Sequence, residues 1–542
     1  MHERKDLRLL PEVVFVNTPF LSPNRPALGA SLLQAELSRV SRESRVLYLN
    51  IMLAARIGAV AYSSVADDPP VRLLGEWLFS PWLWTDDPEE GSRGCWWGQH
   101  ENCVFCGLNG AELKHRQKSV GRAVSEIAEL WDNYGHLTRE IAATDNIMPA
   151  NYPGSVFPRL KERGVDFEIH YEVKASLRKD EVQALAEAGV KGLQVGVESL
   201  STQVLRIMRK GTTLITNLQC LKWMLEYGLL AHWNLLWGFP GEAPSESVKC
   251  AQLVRRLLHL PPPLGMHPVR LDRFSPLFKN AADFGIHAIC PKPAYSFVYG
   301  RLSPEVVKEL AYFFDFDYVN APSAEYAVDL VHAVNTWRSR HSSAGLFHFS
   351  TGQGGVIVDT RHEPLVYTLG ATCVRVLDAM DGGTRTNDLP RILSLTEEAV
   401  SYYLEALDEK SWIVRDGPSA LTLSTRLGTY QPSTGVLRAM ARLIRGNGAA
   451  LSTSGRIHDT ESGKEMVCQG REPSRAACSR AGKGPRSAHQ THLTPEMFAI
   501  GDDGSVLIRD ARLSETLEHF FREQNRVEGA SEWCELCVSW PC

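Results

Sequence analysis

The spacing of hydrophobic and polar residues changes its period several times along the chain. Val13-Val14-Phe15-Val16 is a short β-branched run, Ala30 to Leu37 has a helical pattern, and Val46-Leu47-Tyr48-Leu49 is a second run, so residues 8–50 predict one βαβ unit. Across residues 85–300, short apolar strands alternate with amphipathic helices, the pattern of a parallel α/β sheet or barrel. Val120, Val124, Ile127 and Trp131 share one face of the first of these helices.

The strands of this region alternate strictly, which shows the side chains they present together. In Phe167 to Lys174, the residues Glu168, His170, Glu172 and Lys174 share a face. Gln194, Gly196 and Glu198 do so in the next strand, and Arg270 with Asp272 in a third. Parallel strands covered by helices are ordinarily apolar on both faces, so repeated polar faces predict a barrel lumen that holds a polar ligand. Solvated edge strands are the alternative.

Further on, Leu346 to Phe349, Val356 to Val358 and Val366-Tyr367 read as strands, followed by two helices and a strand at Leu421. Ser394 with Glu397 predicts a capping box, and Val400, Tyr403, Leu404 and Leu407 form the helical stripe behind it. This is the pattern of a small winged-helix-like α+β domain. Between residues 445 and 492 Gly, Ser, Arg and Lys prevail, which predicts a disordered linker. The expected division is therefore 1–85, an incomplete α/β unit; 86–300, a barrel; 301–343, a helical connector; 344–425, the winged-helix-like domain; 426–495, a flexible linker; and 496–542, a cysteine-containing tail.

Composition narrows the function classes. The chain has 542 residues, 44% of them hydrophobic and 22% charged, which suits a multidomain globular protein. A net charge of -5 gives no electrostatic case for nucleic acid as a partner. The beginning of the chain does not resemble a signal peptide, and no apolar run approaches a membrane span, so the expected location is the cytoplasm and no membrane partner is expected. In that compartment the 12 cysteines point to metal binding or catalysis before disulfides.

Three of them lie close together. Seven residues separate Cys95 from Cys103, and two separate Cys103 from Cys106. Three thiolates can hold three irons of a cubane cluster and leave the fourth iron open to a substrate. The spacing also admits a zinc half-site with His100 as a further ligand, or structural thiols. Cys534, Cys537 and Cys542, with Cys468 and Cys478, read as surface thiols, an auxiliary cluster being the alternative; Cys220, Cys250, Cys290 and Cys373 read as core residues.

Arg93 to Gly98, Cys103 to Gly110, Thr144-Asp145-Asn146, Tyr171 to Lys174, Gly196 to Ser199, Trp237 to Glu242 and Arg270 to Pro276 together resemble the radical S-adenosylmethionine (SAM) enzymes. Within them, the seven-residue first gap is similar to that of the cobalamin-binding type that matures ribosomally made peptides such as bacteriocins. The resemblance implies a radical SAM partial (β/α) barrel, a 4Fe-4S cluster on Cys95, Cys103 and Cys106, and SAM chelating the open iron. It implies that Phe105 lies against the adenine and that Asp145 and Asn146 hold the methionyl amine. Glu198 would bind the ribose hydroxyls, and Gly238 would let the adenine approach the backbone. Glu172 and Lys174 would contact cofactor or substrate, the alternative being a lumen ion pair. No side chain is singled out as catalytic.

The activity so implied is reductive cleavage of SAM to a 5′-deoxyadenosyl radical that modifies a carbon of a precursor peptide, C-methylation among the outcomes. The partners are that peptide, leader and core, and an electron donor such as flavodoxin or ferredoxin. One feature departs from the family. A cobalamin-binding domain is a doubly wound sheet of several strands, and only one βαβ unit precedes the cysteines, so the chain is expected to bind cobalamin poorly or not at all. The alternatives are a zinc-containing winged-helix nucleic-acid binder, disfavoured by charge, and a non-catalytic scaffold, disfavoured by the intact cysteines.

Overall fold

The computed structural model describes residues 13–17, 44–58, 95–107, 115–136, 139–143, 145, 147–352, 354–445, 450–457, 492–501 and 505–531, together with Gln34, Leu37 and Tyr62. Most of Ala30 to Leu37, and Asn146, Cys468, Cys478, Cys534, Cys537 and Cys542, lie outside the described residues. The chain packs as two compact units, Met1–Gly91 with Arg270–Val319, and Ser92–Val269 with Asn320–Cys542.

The first unit opens with β1 (Val13–Asn17) and β2 (Ser44–Tyr48), paired in parallel, and the helix Leu49–Ile57 follows directly. The second unit begins with the parallel sheet of β3 (Glu140–Ala142), β4 (Glu168–Lys174), β5 (Val190–Gly196) and β6 (Leu230–His232), in that spatial order. The helices Phe157–Glu162, Lys179–Glu187 and Leu214–Glu226 lie on the connections between these strands. Strands β7 (Asn234–Trp237) and β8 (Gly265–Pro268) form a further parallel pair, tied to β5 by a bridge between Glu198 and Leu235.

Alternation correctly identified the faces of β4 and β5. Ile169, Tyr171 and Val173 are buried with Leu193 and Val195, whereas Glu172 is half-buried and Gln194 exposed on the other face. The third polar strand belongs elsewhere. Arg270 precedes β9 (Leu271–Asp272), which pairs antiparallel with β11 (Phe313–Tyr318), and β10 (Ile286–Pro291) pairs with the other edge of β11. Two residues are too short a strand for alternation to reveal which sheet it joins. The same sheet corrects the expected helical connector, because Phe313 to Tyr318 form a strand ahead of the helix Val328–Arg340.

Beyond that helix, β12 (Leu346–Thr351), β13 (Gly354–Asp359) and β14 (Leu365–Leu369) form an antiparallel meander. Both of its edges are covered in parallel, β12 by Thr425–Arg426 and β14 by Gly455–Ile457. The helices Ala371–Ala379, Leu389–Leu393 and Glu397–Glu409 follow, with a small sheet of Thr384–Arg385, Ser419–Thr422 and Ile413–Asp416. Ser394 does not cap the last helix. It ends the preceding one in the left-handed conformation, and Thr396 Oγ1 accepts the Ala399 N–H as N-cap.

The linker expected at 426–495 is ordered over part of its length. The helix Thr434–Ala441 buries Val436, Leu437 and Met440, and Ile444–Arg445, Ala450–Leu451 and Gly455–Ile457 are strands. That apolar stripe was present in the sequence but was outweighed by the polar composition after it. In the expected tail, Phe498–Ile500 and Val506–Ile508 pair and the helix Ala511–Ser531 follows.

One hydrophobic core runs from Val124 and Leu193 of the parallel-sheet region through Trp233 and Trp337 to Ile357 and Leu404. Two fully buried tryptophans are tolerated because each indole N–H has an acceptor: Trp233 donates to the Pro261 carbonyl and Trp337 to the Leu260 carbonyl. Among the described residues no helix is long and apolar enough to cross a membrane.

Candidate active site at the carboxyl ends of the parallel strands

The cysteine segment is a compact, non-repetitive loop held by its own backbone and by the strand ends. Gln99 N–H donates to the Cys95 carbonyl, Cys106 N–H to the Cys103 carbonyl, and Val104 N–H to the Met208 carbonyl. The Trp96 indole donates to the Met148 carbonyl and the Trp97 indole to the Arg209 carbonyl, both across long sequence separations. Gly98 N–H points at Cys95 Sγ from 3.4 Å. The two tryptophans thus pin the loop to the segments after β3 and β5.

Strand β5 ends in a tight reversal. Val197 N–H donates to the Val195 carbonyl and Ser199 N–H to the Val197 carbonyl, with Glu198 between them at φ 60. A side chain in the left-handed region costs conformational energy, and such outliers gather at functional sites. The turn aims the Glu198 carboxylate at Lys210, whose Nζ lies 3.0 Å from Oε1. No sequence motif singles out Lys210. Burial alone would lower its ammonium, but Glu198 and the Cys103 and Cys106 thiols outweigh burial and hold it above the usual lysine range. Lys210 Nζ also lies 5.6 Å from the Phe105 ring centroid.

Lys174, at the end of β4, is the second cation. Its ammonium stands over the Trp97 ring, 2.9 Å from the centroid, and 5.6 Å from that of Trp96. Burial brings it down to about 8, against the pull of Cys103. It does not pair with Glu172. Burial and the neighbouring Glu198 push the Glu172 carboxyl up, while Lys210 draws it down. Burial likewise pushes the Cys103 thiol up, with Lys210 acting against it. Cys95, Cys103, Cys106, Glu172, Lys174, Glu198 and Lys210 therefore share one electrostatic environment.

Phe105 meets Phe239, the chain neighbour of Gly238, edge-on at 5.9 Å. The Gly238 N–H is already engaged, with Glu242 Oε2 at 2.9 Å and the Tyr326 hydroxyl at 2.8 Å, so only its carbonyl is open to a further donor. Asp145 is held by the Tyr171 hydroxyl at 2.9 Å and acts on His115. Cys220, Cys250 and Cys373 are buried core residues, whereas Cys290 is exposed on β10, contrary to its apolar surroundings in sequence.

The site suits an iron-sulfur cluster by the chemistry of its donors. Three thiols from one short loop face two ammonium groups that offset the charge of thiolates, and Gly98 supplies an N–H to one sulfur. Two glycines make the room. A Cβ on Gly196 would come within 2.7 Å of Lys210 Nζ, and one on Gly211, at φ +66, within 2.1 Å of the Trp97 ring. Among the described residues no three His, Cys, Asp or Glu side chains converge on a single metal ion. A cubane asks for something different, one thiolate on each of three irons.

Lys210 was legible in one respect. It sits between the end of the helix Thr202–Ile207 and Gly211, where the chain must turn back. Which way the turn carries it depends on the tertiary fold.

Residues 90–254 match the Radical SAM superfamily. An uncharacterized methyltransferase of Pyrococcus horikoshii is 28% identical over 170 residues, which cover 31% of this chain and 36% of the relative. Among solved structures, the cobalamin-dependent SAM radical enzyme OxsB with aqua-cobalamin and SAM bound is 14% identical, with coverage of 51% of this chain and 56% of that one and a TM-score of 0.34. The radical SAM methyltransferase TsrM of Kitasatospora setae, with tryptophan substrate and a SAM analog bound, is 18% identical, with coverage of 44% and 50% and a TM-score of 0.34. The chain thus spans about a third of the curated relative (36%) and about half of these two structures. Residues 90–254 thus carry a match to the Radical SAM superfamily, a family that works with a 4Fe-4S cluster and SAM.

Proposed function

We propose that the chain is a radical SAM enzyme of ribosomal peptide maturation that modifies a carbon of a precursor peptide, by C-methylation or a related step. The observation that carries the first half of this reading is the joining of Cys95, Cys103 and Cys106 to Lys210, Glu198 and Lys174 at the carboxyl ends of parallel strands, where α/β sheets bind their ligands. The peptide half rests on the resemblance around the seven-residue cysteine gap, and methyl transfer on the likeness to a methyltransferase.

Cys95, Cys103 and Cys106 would hold the cluster. When bound, the cluster supplies the electron that cleaves SAM to methionine and a 5′-deoxyadenosyl radical. Lys210 offers a fixed cation to the methionyl carboxylate, Glu198 an acceptor to the ribose hydroxyls, and Phe105 an aromatic face to the adenine. Asp145, and Asn146 outside the described residues, are proposed for the methionyl amine, and the Gly238 carbonyl for the adenine. Trp96 and Trp97 close the loop side and keep water away, which a carbon radical needs. Glu172 and Lys174 are proposed to contact cofactor or substrate.

The segment 344–425, read as winged-helix-like, is proposed to receive the leader, and flavodoxin or ferredoxin to supply electrons. Cobalamin is proposed to bind poorly, for want of strands before the cysteines. The test is anaerobic reconstitution with iron and sulfide, reduction, and measurement of 5′-deoxyadenosine. Wild type is expected to form it and Cys106→Ala to form none; equal rates would overturn the assignment.

A further inference from the structure

Far along the chain from the cysteines, a cavity of about 410 Å³ opens in the same compact unit. It is lined by the end of the helix Pro244–Val254 (Arg255, Arg256), the turn between β13 and β14 (Asp359, Arg361, His362, Glu363, with Leu365) and the residues after the helix Glu397–Glu409 (Lys410, Ser411).

Its floor is rigid. Arg361 is 2% exposed and spends its whole guanidinium internally: Nε donates to Asp359 Oδ1 at 2.9 Å, Nη2 to Oδ2 at 2.6 Å, and Nη1 to the Arg256 and Ser411 carbonyls at 2.6 and 2.8 Å. The Trp412 indole adds a donor to Asp359 at 3.2 Å. One buried ion pair therefore locks together the two backbone segments that carry the rim cations.

The rim is different. Arg256 pairs with Asp408, and His362 hydrogen-bonds the Arg255 carbonyl. Among the described residues, no carboxylate lies within ion-pair distance of the Arg255 guanidinium or the Lys410 ammonium, and Lys410 rests over the Tyr367 ring at 5.4 Å. Arg255, Arg256, Arg361 and Lys410 against Asp359 and Glu363 give the lining a formal +2 (four minus two), on a chain whose net charge is -5. Cations at helix carboxyl ends complement the helix dipole, and that explains one such residue at each end. It does not explain a cavity between the two.

We propose that this cavity binds a carboxylate side chain of an acidic peptide segment, Arg255 and Lys410 closing on it from the rim while the Arg361–Asp359 pair holds the floor. Guanidinium groups recognise carboxylates by paired hydrogen bonds, and a cavity of this size admits a side chain with its flanking backbone. That the peptide is the enzyme's own substrate rests on the function proposed above. The edges of the neighbouring meander do not offer the route, because Thr425–Arg426 and Gly455–Ile457 already cover them. The proposed exosite therefore works through side-chain charge and not through strand addition.

The experiment is a titration of the full chain with fluorescein-labelled hexaglutamate, with hexaglutamine and inorganic phosphate as separate arms. Hexaglutamate is expected to bind, hexaglutamine not to, and phosphate to compete only weakly. Arg255→Glu with Lys410→Glu is expected to weaken hexaglutamate binding at least tenfold, and Arg255→Gln with Lys410→Gln to weaken it less, at an unchanged melting temperature. Equal binding by the reversed-charge variant, equal binding of hexaglutamine, or displacement by phosphate at the same concentration would each overturn the proposal. The 5′-deoxyadenosine measurement is independent of these, so loss of one reading leaves the other standing.

Discussion

Lys210 is the residue through which the candidate site holds together. Removing its ammonium leaves Glu198 without a counter-ion beside three cysteines, and removes the cation proposed for the methionyl carboxylate. A charge-assisted contact of this kind contributes about 1.5–3 kcal/mol. Lys210→Ala is therefore expected to weaken SAM binding at least tenfold in calorimetry, while Lys210→Arg retains most of it. Equal affinity for both variants would remove Lys210 from the site. Residue identity alone is a poor guide elsewhere. Ser424, His348 and Asp378 form a hydrogen-bonded series, at 2.9 and 3.1 Å, with the composition of a hydrolytic triad. Ser424 is completely buried, so no substrate reaches its hydroxyl, and the series serves packing.

At the scale of elements, the termini of the helices distinguish two readings of one stretch. A sequence pattern of Ser394 with Glu397 suggests a capping box, yet Ser394 adopts φ 57 as the end of one helix and Thr396 caps the next. The two assignments differ in what substitution does. Thr396→Ala should cost about 1 kcal/mol, read as a lower melting temperature. Ser394→Gly should be neutral or stabilising, because glycine adopts that conformation without penalty. If Ser394→Gly proved the more damaging of the two, Ser394 would be the cap after all. The strand Gly455–Ile457 teaches a related lesson. Three residues carry no detectable strand period, and their pairing with β14 comes from a partner more than 80 positions earlier in the chain.

On the scale of the whole molecule, the region that matches the Radical SAM superfamily is joined to the later helices by buried charge as well as by a common core. Lys222, fully buried on the helix Leu214–Glu226, donates to Asp381 Oδ1 at 2.7 Å and to the Thr422 carbonyl at 3.0 Å. Lys179 reaches Asp381 at 2.9 Å and Glu226 at 2.7 Å. Burial works to raise the Asp381 carboxyl, but Lys222 and Lys179 outweigh it and hold it well below the usual carboxylate range. A depressed folded-state pKa stabilises above the unfolded value, about 3.9, and that stabilisation is lost as pH falls through the folded one. Asp381→Asn is expected to cost about 3–5 kcal/mol at neutral pH, because Lys222 is left buried and unpaired. The gap from wild type should narrow as pH falls below about 4. Denaturant titrations at the two pH values check both statements, and a gap that does not change with pH would show that the pair is not the cause.

The sequence by itself determined what is local. Strand alternation separated the buried from the polar face of β4 and β5, and the spacing of Cys95, Cys103 and Cys106 put three thiols into one short loop, because both are properties of neighbours in the chain. Only the tertiary structure decided what depends on distant partners. It put Lys210 against Glu198, separated Lys174 from Glu172 by seating it on Trp97, and assigned Leu271–Asp272 to an antiparallel sheet. It also brought Arg255, Arg361 and Lys410 around one cavity. Close approach across long sequence separations is set by how whole elements pack, and no short window of residues encodes it.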